Sequence, residues 1–384
     1  MQSVLFVNYE YPPIGAGGAT ANYHFATLLA AEGIRVTVVT SAFREMRGTA
    51  MEEGVTVYRI PAWREHAGQS SLRQMLAYLL GALLHLPKVI PTQQPDMAVV
   101  FFSFPCGPAG ILLKRLWNIP FTVMLRGGDV PGFEPSLDRI HRLLQPIRKS
   151  VYNNACAIIA NSESLRDLAL QSDPDTAISI IPNGVDTEFY RPPDNRTVAG
   201  DHPFTFLFAG RICTQKNLDI MIMTFSRCRL RKDTLRLIII GEGPERSRLQ
   251  QLADSRSPGN RIHWVGWCSK TTLREYYRTA DCFVSPSTAE GMSNALLEAM
   301  ACGLPVLAGD CRGNREIVDE GVNGFLFTPS DGAMLEEKMI LLAENRSLCN
   351  QWGSEGRRRC MREHSWTAIT GQLKILLEAG MVPR

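Results

Sequence analysis

The 384-residue sequence contains no Cys-x-x-Cys pair and no alternating cysteine–histidine set, although it holds ten cysteines. That spacing excludes a structural zinc site built on such pairs. The cysteines are scattered, and several lie in apolar runs, as Cys156 does in Ala-Cys-Ala-Ile-Ile and Cys282 in Asp-Cys-Phe-Val. They read as buried free thiols in a reducing compartment, so the expected location is cytoplasmic. A strong charge of either sign is also missing. The net charge of +3 is too small to argue for nucleic acid, but it is compatible with an anionic substrate or a loose membrane contact. No basic segment precedes an apolar run at the start, and residues 1–8 read directly as a buried strand. Nor is there an apolar run of the roughly 20 residues that a membrane-spanning helix needs. The nearest, Met75 to Ile90, is shorter and carries His85, Pro87 and Lys88. It is expected to be a buried core helix; the alternative is a helix dipping into a membrane surface beside a lipid-linked acceptor. Finally, the dinucleotide fingerprint is absent. Gly15-Ala-Gly-Gly18 lies too far from the preceding strand, and no acidic residue ends the strand at Arg35–Thr40, which argues against an NAD-linked oxidoreductase.

What is present is the balance of a soluble globular protein, with 45% hydrophobic and 21% charged residues. The length suits two domains. Short apolar runs alternate with helical stretches along the whole chain. In the first half strands are expected at Val4–Asn8, Arg35–Thr40, Val55–Ile60, Met97–Phe102, Phe121–Leu125 and Ala157–Ala160, with a helix at Thr20–Glu32 stopped by Gly33. The rhythm pauses at the turn Ile181-Pro-Asn-Gly-Val-Asp186 and the linker Arg191-Pro-Pro-Asp-Asn-Arg196. It resumes with strands at Phe204–Ala209, Leu235–Gly241, Ile262–Val265, Cys282–Ser285 and Val306–Ala308, separated by helices. This alternation is the signature of an α/β chain with helices on both faces of parallel sheets. We read two doubly wound, Rossmann-like domains, 1–186 and 187–363, with a last helix at about 364–384 crossing back onto the first. In open parallel sheets ligands bind where loops leave the carboxyl ends of strands, and two facing domains would leave a cleft between them.

The motifs lie at those ends. Gly15-Ala-Gly-Gly18 would let backbone approach a ligand, and the helix behind it offers free N–H groups to an anion. Arg211 and Lys216 follow the strand Phe204–Ala209, where two cations suit a diphosphate. After Cys282–Ser285 come Glu290, Gly291, Met292, Ser293 and Asn294, and then a helix with Glu298 one turn inside it. Glu298 leans back toward the helix N-terminus, where a carboxylate can accept two hydrogen bonds from vicinal ribose hydroxyls. Glu290, ahead of the helix, is freer to meet a sugar. Gly241 in Gly241-Glu-Gly-Pro244 ends a further strand, and Gly266 with Trp267 could frame a flat base. Each of these also has a bland reading. A first-turn glutamate can simply oppose the helix dipole, for about 0.3–1 kcal/mol. The glycines can be ordinary turns, the basic residues a solvated loop, and Trp267 a packed ring.

Taken together, Ile181-Pro-Asn-Gly-Val-Asp186, Ala209-Gly-Arg211 with Lys216, Gly241-Glu-Gly-Pro244, Val265-Gly-Trp267, Ser285-Pro-Ser, and the run from Glu290 through Glu298 to Val306 resemble the retaining glycosyltransferases of family 4 (group 1), of the GT-B fold. The resemblance covers the second half nearly throughout, and the first half mainly in its opening strand and Gly15–Gly18 loop. It implies that Arg211 and Lys216 hold the diphosphate and stabilise the departing nucleotide. Glu290 would contact the donor sugar's hydroxyls, and Glu298 the ribose. Met292, Ser293 and Asn294 would present groups to phosphate and sugar, and Gly17 and Gly18 would approach the diphosphate. It implies no metal and no cofactor, the nucleotide-sugar being a substrate. The expected partners are that donor and a sugar or lipid-linked saccharide acceptor at the inner face of the membrane. One departure stands out. Where the family often has a histidine, commonly beside an aspartate, this chain has Arg126-Gly-Gly-Asp129. Arg126 and Asp129 are thus further donor-site candidates, and His141 is read as a packed helix residue. The rival readings are a nucleotide-sugar binding protein, and an epimerase or an inverting transferase on the same fold.

Overall fold

The computed structural model describes residues 1–15, 17–68, 70–133, 137–194, 203–228, 235–256 and 261–381. The chain divides into two units, Met1–Asn183 with Trp366–Arg384, and Gly184–Ser365. The division falls slightly before the one read from the sequence. Val185 shows why: its N–H donates to the His364 carbonyl (2.7 Å), which ties both crossing segments into the second unit. The expected linker at 191–196 lies in part outside the described residues.

The first unit holds β1 (Ser3–Val7), β2 (Arg35–Ser41), β3 (Gly48–Glu52), β4 (Val55–Ile60), β5 (Met97–Phe101), β6 (Phe121–Met124), β7 (Ala157–Ala160) and β8 (Ile178–Ile180). Its helices are α1 (Gly17–Ala31), α2 (Leu72–Gln93), α3 (Gly107–Trp117), α4 (Asp138–Asn154) and α5 (Glu163–Ser172). The strands form one sheet in the order β3-β4-β2-β1-β5-β6-β7-β8. Every neighbour pair is parallel except the hairpin β3–β4. Central strands such as β1 are buried along their whole length, as helices on both faces require.

The second unit contains β9 (Phe204–Ala209), β10 (Leu235–Ile240), β11 (Ile262–Gly266), β12 (Cys282–Ser285), β13 (Val306–Gly309) and β14 (Gly324–Phe327), all parallel, in the order β11-β10-β9-β12-β13-β14. Its helices are α6 (Leu218–Arg227), α7 (Arg246–Arg256), α8 (Lys270–Thr279), α9 (Asn294–Ala301), α10 (Arg312–Arg315), α11 (Gly332–Glu344) and α12 (Arg346–Arg359). Two cores cover the two faces of the sheet. Phe206 and Phe208 enter one, while Leu207 and Ala209 enter the other. That alternation is the period-two geometry of a strand. The last helix, α13 (Trp366–Gly380), belongs to the first unit. It buries Ile369, Leu373 and Leu377 there, and Trp366 stacks on His24 of α1 at 4.7 Å.

Each expected strand is present to within one residue at either end. Three strands had no counterpart in the sequence reading, β3, β8 and β14, and all three are sheet edges. An edge strand has one partner and less to bury, so its apolar signal is weak. β3 is exposed along almost all its length. The expectation of a buried core helix at Met75–Ile90 needs correcting. α2 buries Tyr78, Ala82, Leu86, Val89 and Ile90 but leaves Leu72, Leu76, Leu80 and Leu84 exposed, the last two by 62% and 72%. Leucines repeating every four residues lie on one side of a helix. The hydrophobicity therefore belongs partly to the surface.

Candidate active site

In an open parallel sheet, loops from neighbouring strands part where the strand order reverses, and the gap receives ligands. In the second unit β9 leads to β10 and β11 on one side, while β12, β13 and β14 lie on the other. The reversal falls between β9 and β12. The loops after these two strands carry the candidate residues from distant parts of the sequence, and they are joined. Thr288 donates its N–H (3.0 Å) and its hydroxyl (3.3 Å) to the Gln215 carbonyl, while the Gln215 amide donates to the Ala289 carbonyl at 2.6 Å. Between these contacts the Lys216 ammonium pairs with the Glu290 carboxylate, both largely shielded from solvent. The two cations expected to act alike are thus in different states. Lys216 is already compensated by an acid. Arg211 is exposed and makes no ion pair or side-chain hydrogen bond among the described residues. The loop therefore offers one free guanidinium, and one ammonium that an incoming anion would share with Glu290.

Behind the Glu290 loop stands α9. Ser293 is its N-cap and accepts from the Leu296 N–H at 3.4 Å, so its hydroxyl serves the helix. Asn294 opens the helix, and Met292 sends its side chain into the core. The Met292 backbone lies just ahead of the helix's amino end. Gly291 is held from behind, because a Cβ on Gly313 would overlap the Glu290 and Gly291 carbonyl oxygens. Glu298 lies one turn inside and accepts from the Tyr277 hydroxyl at 3.1 Å. Burial raises its carboxyl from an ordinary 4.5 to about 7, with the hydrogen bond from Tyr277, the charge of Lys270 and the nearby Tyr190 pulling the other way. A desolvated acid of this kind gains from further hydroxyl donors.

Gly241 and Gly266 extend the same edge of the sheet. The Gly241 N–H donates to the Gly266 carbonyl at 2.8 Å, and a Cβ on Gly241 would lie inside the Gly210 carbonyl oxygen. Gly241 also sits at φ 137°, where a side chain would be strained. Three glycines thus pack edge to edge across the ends of β9, β10 and β11. Trp267 follows, with its ring 80% exposed.

In the first unit the reversal lies between β1 and β5. Gly17 and Gly18 open α1, and a Cβ on Gly18 would sit 2.9 Å from the Phe102 ring. The Arg126–Asp129 loop is assembled by Asp129. One of its oxygens accepts from the Arg126 N–H (3.0 Å) and the other from the Ser103 N–H (2.7 Å), clamping the loops after β5 and β6 together. Both oxygens thus already serve the loops, leaving less for a ligand. Burial raises its carboxyl, and those backbone hydrogen bonds counter the rise. Arg126 lies over the Phe101 ring at 5.0 Å and donates to the Asn183 side chain at 2.8 Å. Its guanidinium is pushed down to about 10 by burial, and its Nε is buried without a partner. His141 is packed in α4. Sequence reasoning missed Asn183, Ser103, Gln215, Tyr190 and Tyr277. Asn183 carried a signal, since it stands inside the Ile181–Asp186 turn. The tyrosines carried none, because only the fold brings α8 to Glu298.

Comparison with known proteins agrees with this architecture. Residues 194–359 match the family model described as glycosyl transferases group 1, and residues 15–189 match that of glycosyltransferase family 4. Alpha-maltose-1-phosphate synthase of Mycobacterium tuberculosis is 31% identical, over 96% of this chain and 97% of that protein. EpsD of Bacillus subtilis is 29% identical over 57% of this chain, which spans only 60% of EpsD. Among solved structures, sucrose-phosphate synthase from Thermosynechococcus elongatus superposes with a TM-score of 0.82 at 20% identity, covering 99% of each chain. Both halves of the sequence, each with its own parallel sheet and its own family match, lead to one conclusion: the chain belongs to the group 1 glycosyltransferases and has their GT-B fold.

Proposed function

We propose that the protein transfers a sugar from a UDP- or GDP-linked donor to an acceptor hydroxyl with retention of configuration, in the synthesis of a cell-surface polysaccharide or glycolipid. The observation that carries this reading is the pairing of Lys216 with Glu290 at the β9/β12 reversal, with Glu298 one turn inside the helix α9 that follows. In this reading Arg211 and Lys216 bind the diphosphate, Glu298 accepts from the ribose hydroxyls, and Glu290 orients the donor sugar. The bond from the anomeric carbon to the diphosphate oxygen breaks as the acceptor oxygen bonds to that carbon on the same face. The departing diphosphate oxygen takes the acceptor's proton, so no enzymatic nucleophile is required. Each well-placed donor on the developing charge supplies roughly 2.7–4 kcal/mol. The cations take the place of a metal, so a chelator should leave turnover unchanged. With a labelled donor, Lys216→Ala should lower turnover by roughly a hundredfold or more. Near wild-type turnover in both Lys216→Ala and Glu298→Gln would reject the site. Tight donor binding without transfer or hydrolysis would favour a binding protein instead.

We also propose a cytoplasmic protein that touches the inner membrane face, where a lipid-linked acceptor would lie. The exposed leucines of α2 support this, as does the absence of any acidic residue on that helix. Sedimentation with anionic vesicles should be lost in a Leu80→Asp/Leu84→Asp variant. Equal sedimentation of variant and wild type would refute the contact.

A further inference from the structure

A groove runs between α4 and α5, behind the Arg126–Asp129 loop, whose Gly128 backbone bonds the His141 ring. It has a volume of about 560 Å³ and is lined in part by Asp138, His141, Arg142, Gln145, Arg148 and Gln171. That is the size of a small-molecule site. Its floor is built. The Arg148 guanidinium, itself buried, donates to Asp173 at 2.8 Å and to the His141 carbonyl at 3.4 Å. Asp138 accepts from the Gly132 N–H at 3.2 Å, fixing the upper rim. Two polar atoms in this floor have no partner, His141 Nε2 and Asp173 Oδ1, although His141 is only 7% exposed. A buried ring nitrogen left unbonded costs stability unless something from the groove reaches it.

Charge decides what that occupant is. By count the charges balance: Arg148 pairs with Asp173, and lining Arg142 is offset by lining Asp138. A phosphate would need a surplus of positive charge. The remaining groups are the Gln145 and Gln171 amides, which can each donate and accept as a hydroxyl does, and the second nitrogen of the His141 ring, whose first already bonds the Gly128 backbone. We propose that the α4–α5 groove binds an uncharged oligosaccharide and is a subsite for the glycan part of the acceptor. Only the word acceptor rests on the transferase reading; the binding does not.

The test uses neutral tri- and tetrasaccharides of glucose, galactose, mannose and N-acetylglucosamine as probes, with inorganic phosphate as the competitor class, read by ligand-detected NMR on the full chain. Gln145 and Gln171 are exposed, so Gln145→Ala/Gln171→Ala should fold, which its thermal midpoint verifies. At least one saccharide should bind the wild type, and roughly ten-fold more weakly the double variant. Silence across the panel, equal binding by the variant, or a response to phosphate alone would each overturn the proposal. Donor hydrolysis by the wild type is measured separately. Hydrolysis without saccharide binding sinks the groove alone, and saccharide binding without any turnover sinks the transferase reading alone.

Discussion

At the scale of single residues, the two glutamates of the Glu290–Glu298 run have been given opposite environments by one short stretch of chain. Glu290 is held by a lysine, whereas Glu298 is held by the Tyr277 hydroxyl in a buried setting that raises its carboxyl to about 7. Because its folded value lies above the ordinary 4.5, this group stabilises the fold at low pH, and that contribution is lost as pH rises from about 4.5 to about 7. In the proposed site nucleotide binding would have the opposite sign, because two ribose hydroxyls donating to Glu298 would favour the ionised acid. Affinity for a nucleotide-sugar should therefore rise by roughly ten-fold between pH 6 and pH 8. Titration calorimetry at the two pH values checks this, with Glu298→Gln expected to be weak and flat. A wild-type affinity that does not change with pH would mean that Glu298 does not meet the ligand. The sequence placed Glu298 beside a helix start, but it could not show the tyrosines that set its proton affinity, since these come from a different helix and a different loop.

At the scale of elements, the loops after β9, β10 and β12 function as one body. Gly210, Gly241 and Gly266 abut at the strand ends, and Gln215 is joined to Thr288 and Ala289. Gly241→Ala should therefore act beyond its own loop. The added methyl meets the Gly210 carbonyl at a positive φ, so β9's loop must shift and carry Arg211 and Lys216 with it. We expect a loss of 1–3 kcal/mol of stability, on the order of other strained backbone positions. We also expect nucleotide-sugar affinity to fall at least roughly ten-fold. Urea unfolding and calorimetry on the one variant test both, and unchanged affinity would show that these loops are not mechanically coupled. The glycines were legible as turns, and the strands before them as apolar runs. Their mutual packing was not, because it depends on the order of strands in the sheet. The same holds for β3, β8 and β14, whose membership of the sheets is decided by a free edge rather than by their own hydrophobicity.

At the scale of the whole molecule, the chain leaves its first unit near Asn183 and returns at Trp366 to complete it. The returning helix buries Ile369, Leu373 and Leu377, and its tryptophan stacks on His24. Truncation before Trp366 should consequently destabilise the first unit, although the cut is distant from it in sequence. Three large aliphatic side chains and a tryptophan are worth several kcal/mol when buried. Hydrogen exchange should show amides of α1 losing protection while those of β9 and β12 keep theirs. Equal loss in both units would make them one cooperative body. By itself the sequence determined the alternation of strand and helix, the two-unit plan, and the presence of acids, cations and glycines at strand ends. These are local matters, set by apolar periodicity and by residues that stop helices or open turns. The tertiary structure alone decided that Lys216 is paired with Glu290 and Arg211 is not. It also decided that Asp129 clamps two loops, that Glu298 is desolvated between tyrosines, and that half of an apolar helix faces outward. Each of these depends on which elements become neighbours, and that is settled by strand order and burial over hundreds of residues, which no window of sequence contains.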